Sequence, residues 1–124
     1  MTRCTAIETS ARLAIIEQSG IAVVTLIEGL ERDELLRSRL TRAEVLRHLR
    51  MLAGSVAELD LSIRRAMPEL DWSGWHLMYK QLALRPGEAL DDALWVACEA
   101  LVPATLLWLR VHRKSQPALF QMTL

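Results

Sequence analysis

The sequence predicts an all-α domain, an up-and-down bundle of about four main helices with one short helix among them. Three observations carry that prediction. Glycine and proline are scarce, 5 and 4 in 124 residues, while Leu, Ala, Arg and Glu abound, a balance that disfavours a turn-rich β-fold and favours helix. Two long segments repeat their apolar residues at helical spacing. The connections between periodic segments are short, with no repeat, low-complexity tract or linker, so residues 1–124 read as one domain.

From about Ser10 to Glu28, Leu13, Ile16, Gly20, Val23 and Ile27 follow a three-four-three-four spacing that gathers them on one face, with Arg12, Glu17 and Gln18 elsewhere. Asp33-Glu34-Leu35-Leu36-Arg37 reads as the short helix, acids at its start and a cation at its end as the helix dipole prefers. The second long helix is expected to start at Thr41, whose hydroxyl and the Glu44 carboxylate have the spacing of a capping box. Its seam is Val45, Leu49, Leu52, Val56, Leu59 and Ile63, and it is expected to run to about Met67, before Pro68. If that seam lies in the core, Leu52→Ala or Leu59→Ala costs about 2–5 kcal/mol in chemical denaturation.

Asp71 is a natural N-cap for a third main helix through Trp72, Trp75, Met78, Tyr79 and Leu82, stopped by Pro86-Gly87. A last helix starts around Glu88 to Asp92 and runs to about Arg113, with acids at its positive dipole end and Arg110, Arg113 and Lys114 at its negative end. Pro103 is expected to kink it. Apolar residues from Leu94 to Leu109 surround most of its circumference, more than one core can cover, which predicts at least a dimer.

Composition also bounds function. Fifteen basic and fifteen acidic residues give a formal net charge of zero, so any nucleic-acid contact must be local. Cys4 and Cys98 have no Cys or His at metal-ligand spacing, which points to neither a zinc site nor a disulfide framework and fits a reducing cytosol. MTRCTAIETS lacks the apolar stretch of a signal peptide. The apolar run Leu94 to Leu109 falls short of a membrane span and contains Glu99 and Pro103. The expectation is a cytoplasmic chain with no membrane contact, no cofactor and no metal.

No phosphate-binding glycine loop, nucleophile elbow or zinc-binding His-Glu-x-x-His helix is present. His48, His76 and His112 each read as a surface or partly buried helical histidine, since a general base needs defined geometry as well as a suitable pKa. The thirteen Arg against two Lys raise a phosphate-binding alternative, because the planar guanidinium pairs bidentately with phosphate. Six lie between Arg32 and Arg50 against Asp33, Glu34 and Glu44, forming either a solvated face or a surface for an anion or acidic partner. Arg39, Arg42, Arg47 and Arg50 are the candidates for that surface. Trp72, Trp75, Trp95 and Trp108 lie in apolar helical patterns and read as core or dimer-interface packing.

The order of these landmarks resembles the HepT-like family of HEPN-type helical domains. The likeness covers about Glu28 to Pro103. Leu40-Thr41-Arg42-Ala43-Glu44-Val45-Leu46-Arg47-His48-Leu49 is similar to the family's Leu-Thr-x-x-x-Val-x-Arg-Asn-Leu segment, and Met67-Pro68-Glu69-Leu70-Asp71-Trp72 to its Pro-Glu-(Ile/Leu)-Pro-Trp segment. Gly29-Leu30 with the short helix, and Trp95 followed eight residues later by Pro103, complete the match. The resemblance implies a homodimeric bundle, the ribonuclease half of a toxin–antitoxin pair whose partner is a minimal nucleotidyltransferase.

It also implies a loss of activity. Family members carry a segment like Met-Arg-Asn-x-x-x-His-x-Tyr, whose Arg and His hold the scissile phosphate and assist proton transfer. Here Met78 matches, but Tyr79 falls where the Arg should be and Leu84 where the His should be. General acid-base assistance is worth about 10² to 10⁴ in rate, and a phenol and an isobutyl group cannot supply it. The reading is therefore a binding or structural partner of a nucleotidyltransferase-like protein, with RNA contact weak if present. Two alternatives stay open: an active metal-independent ribonuclease with a relocated set drawn from Arg42, Arg47, His48, His76 and Tyr79, and an unrelated helical interaction module.

Overall fold

The computed structural model describes residues 6–121, and Cys4 lies outside them. All the regular structure among these residues is helical: α1 Ala6–Ile27, α2 Arg32–Arg37, α3 Arg39–Ala57, α4 Leu61–Ala66, α5 Trp72–Gln81, α6 Glu88–Val96 and α7 Val102–Ser115, with a π turn Ala97–Leu101 joining α6 to α7 and a 3₁₀ turn Pro117–Phe120. α1, α3, α5 and the last helix Glu88–Ser115 form the ring. Each is antiparallel to its neighbours. Arg12 pairs with Glu58 across α1 and α3, Arg50 meets Leu82 across α3 and α5, Trp75 bonds Thr105 across α5 and α7, and Arg113 reaches Glu17 to close the ring.

The predicted apolar faces supply the core. Leu13, Ile16 and Val23 of α1 are buried, as are Val45, Leu49, Leu52 and Val56 of α3. Leu52 and Leu59 are 0% and 4% exposed, so the destabilisation expected of their truncation stands. Gly20 sets how closely α1 and α7 approach: a Cβ there would lie 2.9 Å from Leu106 Cδ2. α1 ends in a turn through Gly29, whose φ of 77° suits glycine.

Three boundaries differ from the sequence pattern. α3 begins at Arg39, two residues before the expected cap. Ser38 precedes it and its hydroxyl donates to Thr41 Oγ1 at 2.9 Å, while Glu44 turns to Arg47 instead of reaching back to Thr41. A side-chain-to-backbone bond of the capping-box kind appears one helix earlier, where Glu31 N–H donates to Glu34 Oε1 at 2.9 Å.

The expected single helix from Thr41 to Met67 is two helices, interrupted at Glu58–Asp60. Asp60 has extended backbone and its carbonyl accepts from Ile63 and Arg64 to start α4, while Arg64 Nη2 donates back to the last carbonyls of α3, Val56 at 3.4 Å and Ala57 at 3.2 Å. The bond to Ala57 satisfies a carbonyl that the helix end leaves unpaired, while Val56 O also accepts the Leu59 amide at 3.2 Å. Leu59 keeps the seam's spacing through the break, which is why periodicity alone runs straight across it.

At Pro103 the change is a π turn rather than a bare kink. Proline lacks the N–H of an i→i−4 bond and its ring crowds the carbonyl four residues back. The wider turn over Ala97–Leu101 absorbs the extra residue, and the helix continues to Ser115.

Both α1 and the last helix are long and apolar enough to cross a membrane by length and composition, with mean hydropathy 1.4 and 1.5. The span that looked too short at Leu94 to Leu109 thus sits inside a helix of 28 residues. Both helices place one face in the bundle core.

Candidate functional site

α3 carries most of the sequence candidates, and its neighbours pull them apart. Arg42 points toward α6 and donates to Asp91 Oδ1 through Nε at 3.2 Å and through Nη2. Arg32 pairs with Asp92 through Nη2 alone. The acids that open the last helix therefore also tie it to α2 and α3, and the Arg42 guanidinium is held by a carboxylate.

Arg47 and His48 sit on the α1 side of α3. Arg47 makes two bonds to Glu44, at 3.1 and 2.9 Å. That hydrogen bonding holds the Glu44 carboxyl below, and the Arg47 guanidinium above, its ordinary range. His48 Nε2 lies 3.3 Å from Arg47 Nη2 and 3.7 Å from Glu44 Oε2. Its Nδ1 is buried without a hydrogen-bond partner among the described residues. Ile15, Ser19 and Met51 wall it into a narrow crevice of about 120 Å³, too small for a nucleotide.

Arg50 donates from Nε to Leu82 O at 3.0 Å, satisfying a carbonyl at the end of α5. Beside it, Tyr79, Gly54 and Lys80 border an open cleft of about 510 Å³. Tyr79 is 49% exposed and Leu84 43%. His76 lies one turn earlier on α5, on a separate cleft with Arg64 and Arg65. Arg39 is exposed at the start of α3.

Within one chain the candidates therefore fall into five places: Arg39 exposed at the start of α3, Arg42 with Asp91, Arg47 with His48 and Glu44, Arg50 with Tyr79, and His76 apart from these. A phosphoryl-transfer site needs a proton-transfer group and a phosphate-holding cation converging on one point. The only close Arg–His contact among them, Arg47 with His48, has its guanidinium already bound to Glu44. The described residues include no group of three His, Cys, Asp or Glu able to hold a metal. Burial pushes the Cys98 thiol up to about 12, so it is a packing residue and not a nucleophile.

One buried polar network went unread in the sequence. His112, 6% exposed, has Nε2 at 2.6 Å from Glu69 Oε1 and Nδ1 at 2.9 Å from Gln116 Nε2, while Gln116 Nε2 also donates to Ala66 O at 2.8 Å. Backbone hydrogen bonding and the His112 contact hold the Glu69 carboxyl below its ordinary range. The network fastens the end of α7 to the turn between α4 and α5. Only the spacing of His112 and Gln116, one helical turn apart, could have signalled it.

No family model, no curated protein and no solved structure matches the chain.

Proposed function

We propose that this chain is a helical interaction module, a HepT-like bundle without ribonuclease chemistry that pairs with a second copy of itself and serves a minimal nucleotidyltransferase as a binding partner in the cytoplasm. One observation carries the non-enzymatic part. The positions at which the family motif calls for Arg and His hold Tyr79 and Leu84, both exposed on α5 and the turn after it, and the close Arg–His pair among the candidates, Arg47 with His48, has its guanidinium bound to Glu44, which leaves the cleft of His76 with Arg64 and Arg65 as the place a relocated site would have to occupy. The all-helical ring and the resemblance from Glu28 to Pro103 support the family reading, and the partner follows from that resemblance.

The purified protein is expected to leave single-stranded and structured RNA intact in metal-free buffer where a motif-bearing relative cleaves them. Any residual RNA binding through the arginines should weaken steeply between ~50 and ~200 mM salt, because phosphate contacts release counterions. Cleavage that either His48→Ala or His76→Ala abolishes overturns the proposal in favour of a relocated active site. Co-expression with a minimal nucleotidyltransferase encoded beside it should give a complex stable through gel filtration.

A further inference from the structure

The cleft that holds His76 has a character of its own. Leu61, Arg64, Arg65 and Pro68 recur at helical spacing, so they share the outward face of α4 and the turn after it, and Trp72, Ser73 and His76 supply the first turns of α5 opposite them. The space between is an open groove of about 610 Å³, of the volume of a small-molecule site but closed on fewer sides.

Its flat wall is fixed in advance. Trp72 Nε1–H donates to Arg64 O at 3.0 Å and to Met67 O at 2.9 Å, so the indole cannot swing without giving up both bonds. With Leu61 and Pro68 it makes the cleft predominantly apolar. A rigid indole face beside an apolar rim favours a planar ring.

Its charge is uncompensated. Arg12, Arg32, Arg42, Arg47 and Arg113 each face a carboxylate. Arg64 does not: its Nη2 donates to the neutral carbonyls of Val56 and Ala57, and its Nε is buried with no partner among the described residues. Arg65 is exposed and enters no ion pair among them. No carboxylate lines the cleft. Of the acids flanking the pair in sequence, Asp60 is itself engaged, Glu69 meets His112, and Asp71 takes the Gly74 amide and the Ser73 hydroxyl. Two guanidinium charges without a counter-ion, beside an exposed imidazole, make an anion the complementary ligand.

The geometry points to a binding site for a flat aromatic anion of metabolite size, a phosphate or carboxylate carried on a planar ring system. The ring lies against Trp72, and the anion meets Arg65 at the mouth with the Arg64 charge behind it. This site is independent of the proposed pairing with a nucleotidyltransferase and stands or falls without it.

An NMR titration of the full chain tests it with two probes, adenosine 5′-monophosphate and indole-3-carboxylate, and two half-ligands, adenosine and inorganic phosphate. At least one probe should shift the Trp72 indole N–H and His76 ring resonances saturably below about 1 mM, with both half-ligands at least ~10-fold weaker. Preference for one probe identifies the anion as phosphate or carboxylate. Arg65→Ala, an exposed change, should weaken the better probe about tenfold, whereas Arg85→Ala on the distant turn after α5 leaves it unchanged. Absence of saturation by both probes, equal binding of adenosine and its monophosphate, shifts mapping elsewhere, or an Arg65→Ala variant that binds normally would each overturn the assignment.

Discussion

Trp75→Ala should be the most damaging single truncation in the bundle, costing about 3–5 kcal/mol, as large aromatic-to-Ala changes in a core do. Trp75 is 0% exposed and the largest fully buried side chain. It lies where α5 meets the last helix, so its loss opens a cavity between two walls of the ring that cannot both collapse inward. The indole also anchors those walls to each other by a hydrogen bond in the core: Nε1–H donates to Thr105 Oγ1 at 2.8 Å, and the Thr105 hydroxyl in turn donates to Leu101 O at 2.7 Å, in the π turn. Urea denaturation followed by circular dichroism measures the loss. Thr105→Val isolates the polar part, since it keeps the shape but strands a buried N–H, and should cost about 1–3 kcal/mol. Equal stability of wild type and Trp75→Ala would mean that α5 does not pack in the ring as described.

How far the fold could be read beforehand is clear from particular residues. Leu13, Ile16, Gly20 and Val23 are buried as their spacing predicts, because burial of one helical face is a local, periodic property of sequence. The N-cap at Asp71 was legible for the same reason: its side chain accepts the Gly74 amide at 2.9 Å, three residues away. The break at Glu58–Asp60 was not legible. No glycine or proline marks it, and the group that satisfies the end of α3 is Arg64, which lies beyond the break and reaches back only once α4 has folded over. The capping box at Thr41 failed because Ser38, an equally good start, precedes it.

The site was less legible than the fold. Whether an arginine is available depends on which carboxylate lies across the bundle, and Arg42 to Asp91 spans 49 residues of sequence. Local charge counting placed Arg42, Arg47 and Arg50 in one candidate patch, whereas each is engaged by a different group. Arg64 and Arg65, an adjacent pair in the sequence, escaped attention because the long-helix reading placed them on a continuous rod with no cleft beside it.

Ala104→Arg should convert a dimer into a monomer at micromolar concentration while leaving the fold intact. Val96, Ala100, Ala104, Leu107 and Val111 recur at four-four-three-four along the last helix and are exposed, Val96 by 53% and Leu107 by 54%. Across from them on α5, Leu77 is 56% exposed, and Gly74, Ala100 and Ala104 form the small-residue bed of an apolar groove of about 420 Å³. A ridge of Val96 and Leu77 beside a bed of small residues is self-complementary, which is what a two-fold interface requires. An arginine in the bed fills the groove and forces a charge to lose its water on association, enough to weaken pairing by at least ~100-fold. Because Ala104 faces outward, the thermal transition of the monomer itself should change little. Multi-angle light scattering reads the mass, and Ile21→Arg on the exposed face of α1 is the control that should stay dimeric. If Ile21→Arg gives the monomer and Ala104→Arg does not, the copies pair through α1; a wild-type chain that is monomeric at every concentration removes the dimer altogether.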